Sequence, residues 1–241
     1  MESGGGRDTV NLPLVFLDLD NTILDFSTAE ENSLFHALRK NGIEPTLEHL
    51  AVFRRINNHR WERFETGELT RREVLIGRFA EFFAEIGVSA DPEQTQIFYE
   101  ASLRSPHYFM PGAEALLEQL KGRYRLFIVS NGNTGTQASR IASAKIGPYF
   151  EQIFISETIG FQKPSREYFE ACFAAIPAFD AARSVMVGDS LTSDIRGGNL
   201  MGIHTVWYNP SGRPASDAAR PDEIISDLSE LPPLLEKLFP N

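Results

Sequence analysis

The sequence predicts an α/β protein: a doubly wound parallel sheet with a helical segment inserted after its first strand. Three observations carry that expectation. Apolar runs at 13–19, 125–130, 152–156, 184–188 and 203–207 have the unbroken hydrophobicity of strands buried on both faces. Helical patterns at 112–121, 134–145, 166–175 and 193–201 alternate with the later runs, the chain order of a parallel sheet covered by helices. Residues 27–105 interrupt that order with helical periodicity and no convincing strand.

The 241 residues suffice for one large α/β domain carrying a smaller one. Hydrophobic residues at 42% and charged residues at 23% are ordinary globular values, so disorder is not the default. No apolar run approaches the roughly 20 residues of a membrane span. Residues 1–8 are Gly-rich and polar, so no secretory signal is read there. One cysteine, Cys172, excludes an intrachain disulfide and suits a reducing compartment, which points to the cytoplasm. It lies in an apolar helical run, where a thiol packs as a small hydrophobe. The net charge of −10, without a basic cluster, argues against a nucleic-acid polymer as partner. A small phosphorylated substrate stays compatible, because a bound cation reverses the local field.

Taken in order, the first strand at 13–19 ends in acids. In the insertion, Glu30 and Glu31 open a helix that carries Leu34 and Leu38 and stops at Asn41-Gly42. Leu75, Phe79, Phe82 and Ile86 recur at one helical face. Asp91-Pro92 opens another helix, with an acid at the cap and proline in the first turn. Pro111-Gly112 marks the return to the sheet region, and 228–238, with Pro232-Pro233, reads as a short closing helix. The domains expected are 9–26 with 106–241, and 27–105.

Four polar clusters follow predicted strands, where open α/β sheets bind ligands. The first is Asp18-Leu19-Asp20-Asn21-Thr22. Alternate residues of a strand share a face, so Asp18 and Asp20 would point the same way and would repel unless a cation or proton separates them. A solvated acidic turn is the plain alternative. The second, Ser130-Asn131-Gly132, offers a hydroxyl and backbone N–H groups to a phosphate, or is an ordinary turn. The third, Lys163-Pro164, holds a point positive charge at a defined place, or is a surface loop. The fourth runs from Gly188-Asp189 to Asp194. Asp194 could simply favour the next helix N-terminus, whereas Asp189 caps a fully apolar strand.

In order and spacing, these clusters resemble the haloacid dehalogenase-like superfamily, whose pattern is Asp-x-Asp-x-Thr, then Ser or Thr, then Lys, then Gly-Asp with a further Asp. Here they are Asp18, Asp20 and Thr22, then Ser130, Lys163, Asp189 and Asp194, spanning residues 14–208. The resemblance implies a Rossmann-like core and a helical cap inserted after the first strand. It implies a phosphatase with Asp18 as nucleophile, Asp20 as general acid and base, and a phosphate site of Asp18, Leu19, Asp20, Ser130, Asn131, Gly132 and Lys163. It further implies Mg²⁺ held by the Asp18 and Asp189 carboxylates and the Asp20 main-chain carbonyl, supported by Thr22 and Asp194. Dehalogenase members lack the second acid, because a halide leaves without a proton; Asp20 therefore favours phosphate esters. Phosphonate-cleaving members need a Schiff-base lysine in the cap, and the only lysine of the insertion, Lys40, looks like part of a solvent-facing helix end.

The insertion carries Asn57, Trp61, Thr66-Gly67-Glu68-Leu69-Thr70 and Arg78-Phe79, similar to the caps of bacterial pyrimidine 5′-nucleotidases. Trp61 could stack on a base, with Asn57 or Arg78 bonding its edge or the sugar; packing residues are the alternative. Ser156-Glu157-Thr158-Ile159-Gly160 also resembles that family, while Phe161-Gln162 departs from its usual small residues. The function expected is a 5′-nucleotidase acting on nucleoside monophosphates, as a monomer or weak homodimer. The alternatives are a phosphatase for a small sugar or acid phosphate such as phosphoglycolate, and a non-catalytic binding protein on the same fold.

Overall fold

The structure, a computed structural model, describes residues 11–104, 107–215 and 219–240. The expected domain boundary at 105/106 and the expected start at residue 9 fall outside them. The chain divides into two compact units.

The first unit covers the described residues up to Asp25, Phe109–Thr134, and those from Lys145 onward. Its sheet holds β1 (Leu14–Leu17), β2 (Arg125–Ser130), β3 (Gln152–Ile155), β4 (Ser184–Gly188), β5 (His204–Tyr208) and β6 (Glu223–Ile225), all parallel, in the order β3-β2-β1-β4-β5-β6. The two central pairings set Leu17 beside both Ile128 and Val187, so the strands bearing three of the four polar clusters end side by side. Every residue of β1, β2 and β4 is buried, as expected of central parallel strands. Leu14, Phe16, Phe127, Val129 and Met186 pack with Tyr168, Phe169, Cys172 and Phe173 of helix α8 (Arg166–Ala174). Cys172 is the buried thiol the sequence suggests, and burial pushes it up to about 12. Helices α5 (Ala113–Leu120), α7 (Ser156–Ile159), α9 (Arg196–Met201) and α10 (Leu231–Leu238) complete this unit.

The second unit is Phe26–Tyr108 with Gly135–Ala144. It contains α1 (Phe26–Lys40), α2 (Leu47–Glu65), α3 (Arg71–Ile86), α4 (Pro92–Leu103) and most of α6 (Thr134–Ala144). The last helix is a difference from the sequence reading, which places it with the sheet. Local signals set the helix ends: Thr70 and Glu73 form a reciprocal capping box for α3, and Asp91 caps α4 ahead of Pro92. The core joins Leu34, Leu38, Leu50, Phe53, Ile56, Phe79, Phe82 and Tyr99. On α3 the buried positions are Val74, Arg78, Phe79, Phe82 and Phe83, whereas Leu75 and Ile86 of the expected stripe are only half-buried. The buried face thus includes Val74 and Arg78, and Arg78 donates to Asn57 on α2 and Gln96 on α4. No helix among the described residues is long and apolar enough to cross a membrane.

Candidate active site

The site is built at the carboxyl ends of β1, β2 and β4. Asp18 follows β1, is buried, and extends the ladder by donating its N–H to Val187 O at 2.9 Å. The chain then turns tightly. Leu19 O accepts from the N–H groups of Ile23 and Leu24, and Asn21 sits at φ 58°, a conformation asparagine tolerates better than most residues. Asp20 lies beyond β1 and is bridged to Leu24 across the turn, with its charge near enough to Asp18 to raise the pKa of that group. Thr22 is fully buried, and its hydroxyl has no hydrogen-bond partner among the described residues.

Lys163 is the centre of the arrangement. Only 1% exposed, it donates to Asp18 Oδ1 and Asp194 Oδ1, both at 2.6 Å, and to Val129 O at 2.9 Å. An ammonium has three donors, and all are used. Burial works against its charge, yet Asp18 and Asp194 outweigh that and hold its pKa above the ordinary value. For Asp18, burial is the largest influence and raises the carboxyl; Lys163 opposes it, while Asp194, Asp20 and Asp189 add to the rise. Lys163 is held in place by Asn131, whose Oδ1 accepts from Lys163 N at 2.8 Å and whose Nδ2 donates to Lys163 O at 3.0 Å. The Asn131 side chain thus serves the lysine backbone. Gly132 N–H, one of the backbone donors expected at a phosphate, donates to Ser130 Oγ at 3.1 Å.

Asp194 lies in a short π-helical turn, Leu191–Ile195, and its Oδ2 accepts from Ser190 N–H at 3.1 Å. A Cβ on Gly188 would lie 2.2 Å from that oxygen, so glycine is what lets the carboxylate approach β4. Asp189 is pushed up to about 7 by burial first and by the charge of Asp194 second, with Arg213 and Lys163 pulling the other way. Asp18, Asp189 and Asp194 each offer a carboxylate oxygen, all within 4.8 Å of one another. Three carboxylates, Asp18 and Asp194 buried and Asp189 half-buried, face the Lys163 ammonium and the more distant Arg213, which leaves an excess of negative charge. A divalent cation with an oxygen preference fits that donor set. Asp18 and Asp189 are the two carboxylates expected at the cation, and Asp194 stands beside them.

The cap candidates lie in the helical unit. Asn57 and Arg78 are buried; Asn57 Nδ2 donates to Glu30 Oε1 at 2.9 Å, and Arg78 donates to Asn57 Oδ1 at 2.9 Å and Gln96 Oε1 at 2.7 Å. The Arg78 guanidinium lies 4.6 Å from the Tyr99 ring centre, between Phe53 and Phe79. It does not snorkel to water. Both side chains are thus engaged with other helices rather than offered to a base. Trp61 is half-buried, edge-on to Phe64, with Arg71 over its ring at 5.9 Å.

Sequence reasoning missed Arg213 and Trp207, which both bond Asp189 O, and Glu157, which accepts from Asn133 Nδ2 and Thr134 N–H. The Arg213 loop carries only Pro and Gly signals; Glu157 was visible as part of Ser-Glu-Thr-Ile-Gly, but its partners were not.

A family model for haloacid dehalogenase-like hydrolases matches residues 12–202. HAD-hydrolase YfnB of Bacillus subtilis (strain 168) is 39% identical over 217 residues, covering 90% of this chain and 92% of that protein. A crystal structure of YfnB described as bound to magnesium superposes with a TM-score of 0.89 at 38% identity, over 93% of this chain and 98% of that one. Pyrimidine 5′-nucleotidase PynA of Streptococcus pneumoniae (strain ATCC BAA-255 / R6) is 33% identical over 92% of this chain and 94% of its own length. Pyrimidine 5′-nucleotidase YjjG of Escherichia coli (strain K12) is 28% identical over 92% and 97%.

Proposed function

The chain belongs to the haloacid dehalogenase-like hydrolases and is a phosphatase, and we propose that it cleaves nucleoside 5′-monophosphates through an aspartyl phosphate on Asp18, with Mg²⁺ as cofactor. The observation that carries this reading is the buried Lys163 bridging Asp18 and Asp194 beside Asp189. A phosphoryl group and a divalent cation are the occupants whose charges match such a site.

In the proposed reaction, an Asp18 carboxylate oxygen attacks phosphorus while Asp20 gives a proton to the departing ester oxygen. Asp20 then takes a proton from a water that attacks the aspartyl phosphate, releasing phosphate and restoring Asp18. Ser130 and Lys163 offset charge on the phosphoryl oxygens. Because the three Lys163 donors are already engaged, one is handed to the substrate; the bond to Asp18 is the one the chemistry itself alters. Leu19 can contribute only its N–H, since its carbonyl serves the turn. Asp18, Asp189 and the Asp20 carbonyl would hold Mg²⁺, which when bound supplies positive charge to the phosphoryl oxygens. Asp194 orients Lys163 and adds to the negative field.

Support for a nucleotide comes from PynA and YjjG, both named pyrimidine 5′-nucleotidases. We assign the choice of substrate to the helical unit, with Trp61 as the candidate base platform and Asn57 and Arg78 as residues that fix the helices. The test is a panel of phosphate esters assayed with Mg²⁺ and with EDTA. Metal-dependent turnover that prefers nucleoside monophosphates over sugar phosphates and phosphoglycolate is expected. The reverse order would assign the enzyme to small sugar or acid phosphates, and no turnover on any ester would remove the catalytic reading.

A further inference from the structure

We propose that Arg213, with Trp207, is a positioning residue that grips the main chain of Asp189 and so presents its carboxylate to a divalent cation. The inference rests on the reading of Asp189 as a metal ligand. Asp189 directly follows β4, where the regular ladder ends. Its carbonyl oxygen accepts from the Trp207 indole Nε1 at 2.9 Å and from Arg213 Nη2 at 2.6 Å. The same arginine nitrogen is 3.4 Å from Asp189 Oδ2, near the outer limit of a hydrogen bond. These distances separate two roles. The short bond anchors the peptide, and the long one leaves the carboxylate available to the cluster with Asp18 and Asp194.

Both donors are themselves held. Trp207 is 1% exposed and pairs in register with Gly188, the residue before Asp189. The Arg213 guanidinium lies 5.8 Å from the centre of the Trp207 ring. Although the Arg213 side chain is half-exposed, its backbone is clamped by the buried Asn209. Asn209 Oδ1 accepts from Arg213 N, and Asn209 Nδ2 donates to Arg213 O, each at 2.9 Å. Gly212, at φ 62°, closes the turn by donating its N–H to Asn209 O. An isolated surface ion pair is worth little. A guanidinium fixed at its own backbone, lying over an indole and bonded to a carbonyl is a bracket.

A positive charge beside a cation site would, by charge alone, weaken Mg²⁺ binding; anchoring of the ligand strengthens it. Removing the arginine therefore distinguishes the two by sign. Mg²⁺ is titrated calorimetrically into the whole chain without substrate, for wild type, Arg213→Ala, Arg213→Lys, Trp207→Phe and the control Asp189→Asn. Each melting temperature is measured without Mg²⁺ alongside. Arg213→Ala is expected to weaken binding about tenfold, the change that one net hydrogen bond confers. Trp207→Phe, which keeps a ring and loses the N–H, weakens it severalfold, and Arg213→Lys falls between wild type and Arg213→Ala. Unchanged or tighter binding by Arg213→Ala, with binding lost in Asp189→Asn, overturns the positioning role, and so does a lowered melting temperature with unchanged affinity. Wild-type affinity in Asp189→Asn instead removes the metal-ligand reading itself.

Discussion

Replacing Gly188 with alanine tests how tightly the acid cluster is assembled. Gly188 has no left-handed backbone to protect, so the effect of a methyl group there is steric. The added Cβ would lie 2.2 Å from Asp194 Oδ2, 2.4 Å from its Cγ and 2.7 Å from its Cβ. Heavy atoms in ordinary contact stand about 3.5 Å apart, so the carboxylate must retreat by about 1 Å. That movement stretches both bonds it makes, to Lys163 Nζ at 2.6 Å and to Ser190 N–H at 3.1 Å. A hydrogen bond to a charged group contributes about 1.5–3 kcal/mol, so the combined loss is about 2–4 kcal/mol. In a protein of this size that lowers the melting temperature by roughly 4–16 °C. Turnover should fall about 100-fold, since a displacement of that size misplaces Lys163 against Asp18. Thermal melting and Mg²⁺-dependent ester hydrolysis read the two effects. In an Asp194→Gly background, which removes all three clashing atoms, the same alanine should cost little stability. A Gly188→Ala variant that melts and turns over as wild type would refute the close packing of Asp194 on β4.

Lys163→Met leaves Asp18 and Asp194 buried without their shared cation, and we predict a loss of about 3–5 kcal/mol in urea unfolding at neutral pH. Part of that loss should return in acid as the carboxylates protonate; equal destabilisation at every pH would contradict the ion-pair account. Arg78→Met keeps the volume but strips Asn57 Oδ1 and Gln96 Oε1 of their donor, which should destabilise the helical unit by about 2–4 kcal/mol. A change within about 0.5 kcal/mol would show that the buried network is not structural. Asp189 sets a pH dependence: its pKa rises from 3.8 to about 7 on folding, so the folded protein binds that proton more tightly. The metal-free protein should therefore gain from this group below about pH 4 and lose that gain progressively as pH rises through 7. Excess Mg²⁺ should flatten the slope, and an Asp189→Asn variant should lack it.

What could be read from the residues alone divides by range. Asp18, Ser130, Lys163 and Asp189 were legible because each stands beside an apolar run or a punctuating Pro or Gly, and their chain order matches a known pattern. Their convergence was not, since Lys163 and Asp18 are 145 residues apart and meet only through the strand order β3-β2-β1-β4. The Asn131 amide looks like part of a turn until the Lys163 backbone, 32 residues away, bonds both its oxygen and its nitrogen. Arg78 shows the same limit inside a helix. Beside an aromatic stripe it reads as a side chain reaching for water, yet Asn57 and Gln96 on two other helices accept its hydrogen bonds inside the unit. β6 escaped notice because three residues beginning with Glu223 carry too little apolar pattern to separate a strand from a loop. Arg213 had no pattern at all, as its role depends on a loop folding back on Asp189.

In the proposed reaction an Asp18 carboxylate oxygen accepts the phosphoryl group. Asp20→Asn tests it most directly with an aryl phosphate as substrate, whose aryl oxide leaves without a proton from residue 20, so that the second step alone should stall. The variant is mixed with substrate and Mg²⁺, quenched in acid, and mapped by tandem mass spectrometry. One phosphoryl group per chain is expected on Asp18, absent when Asp18 is also changed to Asn. A phosphoryl group on another residue, or wild-type turnover by Asp18→Asn, would contradict it.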